Sequence, residues 1–403
     1  MPAESAPLSR FAATPLEQPL RISRKTTRMS IGVPRERGYQ ENRVALTPQA
    51  VSRLVAIGHD VTIESKAGIA SFYSDKDYTE AGANIVYSPE ELYKSHVIVK
   101  VGPIPMEEIQ YLSPGQIVFS AIHLPTITHD YVKALVEKRI IGVAYEYMKD
   151  ASDSLPVVRS MSEIAGSSAI LIAAEYLSNQ FQGSGKLLGG VSGVPPSKVV
   201  ILGAGTVGEF AARTAIGLGS DVRIFDNSIT RLKRLQNNLG MRIYTSVIQP
   251  DTLAQELKTA DVVVGAIHAE TGRAPMVVTE AMVQQMKAGS VIIDVSIDQG
   301  GCFETSELTN HTKPTFKKHD VIHYCVPNIP SRVSQTASMA LSNILSTLLI
   351  DAGEFGGVDS YFWVERGLRA GIYCFNGNLT NKYLSQKFNM SFTNLELLAA
   401  ARM

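Results

Sequence analysis

The residues with the clearest chemical meaning are Gly203, Gly205 and Gly208, which follow the apolar, partly β-branched run Val199–Leu202 without interruption. A G-x-G-x-x-G spacing is weak by itself. It becomes specific when it leaves a strand and opens an Ala-rich helix, as it does here. Gly203 allows the tight strand-to-helix turn, Gly205 lets the backbone approach a pyrophosphate, and Gly208 lets helix and strand pack closely. Unpaired N–H groups and the positive helix end would then face the phosphates. A second apolar strand, Val222–Phe225, ends in Asp226, 23 positions after Gly203. That is the spacing for an acid that accepts hydrogen bonds from ribose hydroxyls. A carboxylate there repels a 2′-phosphate, so the expected cofactor is NAD rather than NADP.

The elements around these residues alternate. The runs Asp261–Ile267 and Ser290–Val295 read as further buried strands of the same sheet. Ligands of open α/β sheets gather at the carboxyl ends of strands. The rim is therefore expected at Ala266–Ile267, Val295–Asp298 and Cys325–Asn328. Upstream, strands are expected at Met29–Val33, His59–Ile63, Val97–Val101, Ile117–Phe119 and Ile140–Ala144. Helices are expected at Pro89–Lys94 and Tyr131–Glu137, and from Thr47 as N-cap and Pro48 to a stop at Gly58. Alternating strands and helices imply parallel sheets with crossovers, so the fold class is α/β with two doubly wound domains. A long helix at Met161–Phe181 and a Gly-rich turn at Gly189–Pro196 lead into the Rossmann unit, and another long apolar helix opens the segment Ser334–Met403.

Bulk properties exclude several classes. A chain of 403 residues exceeds one ordinary core, and its 45% hydrophobic and 19% charged residues are those of a globular protein. Lys+Arg and Asp+Glu both number 38, which leaves no net cationic surface for nucleic acid or anionic membranes. No uninterrupted apolar run approaches the roughly 20 residues of a membrane span. Cys302, Cys325 and Cys374 form neither a C-x-x-C pair nor an even disulfide set, which points to a reducing, cytoplasmic setting. No His/Cys/Asp cluster has metal-ligand spacing, so no metal is expected. Residues 1–28 lack an apolar period and a secretory h-region, and are expected to be a disordered tail.

Several stretches resemble one known family. They are GVPRERGYQENRVALTP at 32–48, GQIVFSAIHL at 115–124, MSEIAG at 161–166 and LGGVSGVPPSKVVILGAGTVG at 188–208. IDQGGCFE at 297–304, HYCVPNIPS at 323–331 and FNGNLTN at 375–381 complete the set. Together they resemble the L-alanine dehydrogenase family, whose catalytic domain is shared with the first subunit of nicotinamide nucleotide transhydrogenase. IDQGGCFE and the His of AIHL favour the dehydrogenase branch. The resemblance implies a Rossmann NAD domain, 156–333, inserted into a discontinuous substrate domain, 29–155 with 334–403. It also implies a homo-oligomer, most often a hexamer.

Taken alone, Arg43 is a surface charge beside a loop, His123 a structural residue at a strand end, and Asp298 a turn-initiating acid. The resemblance assigns Arg43 to the substrate carboxylate, His123 to general acid/base work, and Asp298 to the amine or water beside the nicotinamide. It places Ser162, Ala204, Thr206, Val207 and Ile267 at the cofactor and Asn328 at the substrate. Asp294 is the other acid of that motif. Two positions depart from the family pattern. The substrate-binding Lys expected two residues beyond Lys100 is Gly102, and Ser167 stands where relatives often carry Arg. Lys100 either substitutes for the missing lysine or is structural. The reaction implied is reversible NAD-dependent deamination of L-alanine to pyruvate and ammonium. Two rivals are a paralogue acting on another amino or imino acid, and a transhydrogenase-like NAD(H)-binding protein without amino-acid turnover.

Overall fold

The computed structural model describes residues 27–123, 127–269 and 272–400. Expectations for residues 1–26 lie outside them, but Thr27 and Arg28, assigned to the tail by sequence, are tied to the body. The Thr27 N–H donates to the Gly353 carbonyl at 2.9 Å, and Arg28 Nε donates to Asp60 Oδ2 at 2.6 Å.

In chain order the strands are β1 (Ser30–Val33), β2 (Asp60–Glu64), β3 (Asn84–Val86), β4 (Val97–Val99), β5 (Ile117–Ser120) and β6 (Ile141–Ala144). Next come β7 (Lys198–Leu202), β8 (Asp221–Phe225), β9 (Tyr244–Ser246), β10 (Val262–Gly265), β11 (Val291–Asp294), β12 (Thr315–Lys318) and β13 (Val321–Tyr324). The last are β14 (Ile372–Phe375) and β15 (Asn378–Leu379). They form two mostly parallel sheets, ordered β15-β14-β6-β5-β4-β1-β2-β3 and β12-β13-β11-β10-β7-β8-β9. The antiparallel pairs are β12 with β13, β14 with β15 and β14 with β6. The central strands are near-continuous Val, Ile and Leu because helices cover both faces of a parallel sheet; Val199–Leu202 and Val262–Val264 are fully buried. In each sheet the order reverses at its first strand, β1 or β7, so each has a crevice at the carboxyl end of that strand.

The helix Pro48–Ala56 starts on Pro48 and stops before Gly58, whose φ of +97° is open to glycine. Thr47 occupies the N-cap position without capping. Its backbone N–H instead donates to Ser342 Oγ at 2.9 Å. Ser342 belongs to a ridge that the sequence reading missed: Ser334, Ser338, Ser342 and Ser346, spaced by four, all buried on one face of the helix Ser334–Glu354. Ser338 Oγ accepts from the Val44 N–H at 2.9 Å. The ridge thus fixes the loop that carries Arg43.

The long helix spans Pro156–Tyr176 rather than Met161–Phe181. It begins where Pro156 supplies a ready first-turn φ. It ends because the chain doubles back: Gly183 and Gly185 N–H groups donate to the Ser178 and Leu177 carbonyls at 3.0 and 2.9 Å. By length and composition alone, Pro156–Tyr176 and Ile329–Glu354 could each cross a membrane. Here Ala169, Ile170 and Ala173 of the first and Leu341, Leu345 and Leu349 of the second are core residues.

Candidate active site

Gly203 has φ +110°, and a Cβ there would stand 2.3 Å from the Ala266 carbonyl oxygen. A Cβ on Gly208 would lie 1.9 Å from the Gly203 carbonyl oxygen. Gly205 differs: a Cβ would meet nothing within 4 Å, so the backbone there faces open space. The helix Thr206–Gly217 begins at Gly205 with no side-chain cap. Its first N–H groups are therefore left for an anion. This cradle fits a dinucleotide pyrophosphate.

Asp226 closes the cradle from β8. Its carboxylate accepts from the Ala204 and Ser228 N–H groups, both at 2.7 Å, and so holds the glycine turn against the sheet. Its remaining lone pairs are the ones left for ribose. Ser162 lines a cavity of about 400 Å³ with Thr206, Phe210 and Arg234. The MSEIAG segment reaches it because Gly166 lets two helices touch; a Cβ would stand 2.3 Å from the Val207 carbonyl oxygen. Ile267, at the end of β10, donates its N–H to Ser296 Oγ at 3.0 Å. The ends of β13, β11, β10, β7 and β8 are neighbours, so Asn328, Asp298, Ile267, the glycine turn and Asp226 share one rim in that order.

Across from this rim stand the loops after β1, β4 and β5. Arg43 is buried, and Glu41 takes its Nε and Nη2 at 2.7 and 2.6 Å. Nη1 lies 3.4 Å from the Met161 sulfur, outside the pair with Glu41. Asn328 Nδ2 donates to the same Glu41 carboxylate at 2.9 Å. Glu41 therefore joins the loop after β1 to the loop after β13. Burial opposes its ionisation, but Arg43 and Asn328 hold its carboxyl below the usual range.

His123 adopts φ +49° at the end of β5. A non-glycine residue there is strained and must be held. Glu146 holds it: Glu146 Oε1 accepts the Ile122 and His123 N–H groups at 2.7 and 3.2 Å. His123 is exposed, yet the surrounding protein and the Arg43 charge lower its pKa, with Glu41 opposing. The ring is thus neutral near pH 7. Asp298 sits in the short helix Val295–Gln299, and burial in the cleft pushes its carboxyl up to about 6. The Asn328 N–H and Arg43 favour the carboxylate, while Asp294 disfavours it. Asp294 is a turn organiser, accepting from Ser296 N at 3.0 Å, Cys302 N at 3.1 Å and Ser306 Oγ at 2.6 Å.

Arg43, His123, Asp298 and Asn328 thus come together. Lys100 does not join them. It is 1% exposed, and its Nζ lies 2.5 Å from Glu36 Oε2, so its charge is spent inside the first sheet. Of the two roles left open for Lys100, this buried pair favours the structural one. The shared face of residues 100 and 102 is visible: a Cβ on Gly102 would stand 3.4 Å from that same Glu36 oxygen. Next to Gly102 in sequence, the loops after β1, β4 and β5 border an open pocket of about 350 Å³ lined by Ile104, Met106, Glu107, Ile122, Thr128 and Tyr131. Arg37 also borders it, but Glu64 and Glu108 already pair with it at 2.5 and 2.6 Å. Sequence reading missed Glu41 and Glu146. Glu41 stood two residues from Arg43 inside a quoted motif, a signal that could have been used.

Two nucleotide-fold sheets facing each other, one with an open glycine cradle and the other with an arginine and a neutral histidine, define a pyridine-nucleotide-dependent oxidoreductase. Residues 32–165 match the family description "Alanine dehydrogenase/PNT, N-terminal domain", and residues 169–382 match "Alanine dehydrogenase/PNT, C-terminal domain". The chain is 40% identical over 369 residues to an alanine dehydrogenase of Staphylococcus saprophyticus, covering 91% of this chain and 99% of the relative. It superposes on a solved L-alanine dehydrogenase with a TM-score of 0.85 at 38% identity, covering 90% and 99% of the two chains. A transhydrogenase structure from Sinorhizobium meliloti shares the fold, with a TM-score of 0.75 at 24% identity over 88% of this chain and 99% of that one. The chain belongs to the alanine dehydrogenase/PNT family.

Proposed function

We propose that the protein is an NAD-dependent L-alanine dehydrogenase, catalysing L-alanine + NAD⁺ + H₂O ⇌ pyruvate + NH₄⁺ + NADH + H⁺. The observation that carries this reading is the meeting of Arg43, His123 and Asp298 opposite the glycine cradle. When bound, the nicotinamide supplies the hydride acceptor, and the protein supplies position and charge. Arg43 Nη1 would take the substrate carboxylate, a charge-assisted contact that also orients Cα. His123, neutral near pH 7, would accept the proton released as the amine and then water react. Asp298, ionised above about pH 6, would hold the amine and orient the attacking water. Asp226 supports NAD over NADP, because a 2′-phosphate would face its carboxylate. A cytoplasmic homo-oligomer, with 156–333 as the NAD domain, completes the reading.

The test is NADH formation with L-alanine at alkaline pH, run with NADP⁺ and an amino-acid panel alongside. Turnover with alanine and NAD⁺ that collapses in His123→Ala is the expected result. NADH binding with no turnover on any amino acid would sink the dehydrogenase reading.

A second reading has its own observation. The missing side chain at Gly102 favours a paralogue whose substrate carries a larger side chain than a methyl group. Rates that rise from alanine to valine, leucine or methionine would select it.

A further inference from the structure

Gln40 has no part in the reaction as described, yet its backbone is strained. The Glu41 N–H donates to the Gly38 carbonyl at 3.1 Å, closing a turn in which Gln40 is the third residue, with φ +57°. That position favours glycine or asparagine, and another side chain stays there only when its surroundings hold it.

What holds Gln40 comes from the second sheet. Its carbonyl accepts from Ser331 Oγ at 2.7 Å. Its side-chain Oε1 accepts the His311 N–H at 2.7 Å, and its Nε2 donates to Thr312 Oγ1 at 3.0 Å. The same Nε2 lies 3.3 Å from Tyr39 Oη. His311 and Thr312 sit in the loop just before β12, and that loop is itself fixed. Asn310 Oδ1 accepts from the Thr312 and Lys313 N–H groups at 3.0 and 2.9 Å, and the Thr309 N–H donates to the Cys325 carbonyl at 3.0 Å.

The contacts run on toward Arg43. Glu41 accepts from Asn328 Nδ2, and the Asn42 N–H donates to Ser331 Oγ at 2.9 Å. The Arg43 N–H then donates to Glu41 Oε1 at 3.0 Å. Each of the three residues before Arg43 is thus bonded to segment 311–312 or 328–331, across the cleft from its own sheet. A turn that only had to redirect the chain would be served best by glycine. The glutamine amide adds an acceptor and a donor that can reach the loop before β12.

We propose that Gln40 is a positioning residue: bonded through its amide to the loop before β12, it sets the direction in which the chain enters Glu41–Arg43 and so couples the second sheet to the arginine assigned to the substrate carboxylate. The consequence for substrate binding rests on the function proposed above, whereas the link between the two loops does not. No substrate contact is assigned to Gln40.

The test separates the turn from the link, on the full-length chain. Gln40→Asn and Gln40→Gly both suit a positive φ, but neither side chain reaches the loop before β12. By hydrogen–deuterium exchange, each should speed exchange about fivefold or more in segments 38–44 and 309–314, while 198–217 keeps its rate. The KM for L-alanine should rise roughly tenfold, with the KM for NAD⁺ changed by less than about twofold. Thr312→Val, on the partner loop, should give the same pattern at about twofold to threefold, because one bond is lost rather than two. Thr312→Ser, which keeps the hydroxyl, should restore it. Gln40 variants that match the parent in exchange and in the KM for alanine would overturn the proposal. So would faster exchange confined to 309–314, or two KM values that rise together. If the parent protein turns over no amino acid, the dehydrogenase reading fails, and the exchange result alone decides whether Gln40 links the two loops.

Discussion

The parallel strands of the two sheets follow one order, but the sheets spend their carboxyl rims differently. Around β7 the rim is bare backbone: Gly203 and Gly208 have no room for a Cβ, Gly205 faces open space, and one acid, Asp226, braces the turn. Around β1, β4 and β5 the rim is crowded with paired charges: Arg43 with Glu41, Lys100 with Glu36, and Arg37 with Glu64 and Glu108. A cofactor common to many enzymes is met by main-chain geometry. A small, charged substrate is met by side chains that other side chains must hold. Damage to the first rim should therefore act through binding, and damage to the second through rate.

The largest effect should come from the first rim. Gly208→Ala places a Cβ 1.9 Å from the Gly203 carbonyl oxygen, so the turn cannot keep its shape. NADH binding measured by calorimetry should be lost outright. Retained affinity would mean that the cofactor does not sit on this turn.

On the second rim, His123→Ala should leave NADH affinity intact and lower kcat roughly a hundredfold to ten-thousandfold, the usual range for a missing acid/base group. If affinity and rate fall together, the two rims are not separable in the way proposed.

The pH dependence sharpens the comparison further. With Asp298 pushed up to about 6, its carboxylate is lost as pH falls through that value, and deamination should slow over the same window. Asp298→Asn should abolish that limb, at a cost of about a hundredfold in rate. A limb that persists in the variant would have to be assigned to another group.

The smallest effect concerns specificity. Gly102→Lys should raise kcat/KM for alanine about tenfold by adding a cation near the carboxylate, and should lower it for larger side chains by a similar factor. No change in either direction would mean that the Gly102 side of the cleft does not meet the substrate.

The parts of the site that could be read beforehand are contiguous in sequence. The run from Lys198 to Asp226 contains a strand, a turn, a helix and a second strand, and its meaning is local. Arg43, His123 and Asp298 were legible only through their surrounding motifs, because each comes from a different loop. Glu41 and Glu146 were not read at all. Each acts on a backbone or side chain that only folding brings near: Glu146 on His123, Glu41 on Asn328. Lys100 was the opposite case. Its sequence left a substrate contact and a structural role both open, and Glu36, which sequence reasoning had not paired with it, lies close enough to take its charge.

From sequence alone came the α/β class, the glycine turn with the acid that follows it, and the three side chains proposed for the reaction. These depend on periodicity, on glycine geometry and on motifs held within a few residues. Tertiary structure decided which charges stay available. Arg43 and Lys100 are both buried cations paired with a glutamate, but Arg43 keeps Nη1 outside its pair and lies close enough to influence both His123 and Asp298. Whether a buried cation is spent or free depends on the partner that packing sets beside it, and that partner lies 64 residues away for Lys100 and two for Arg43.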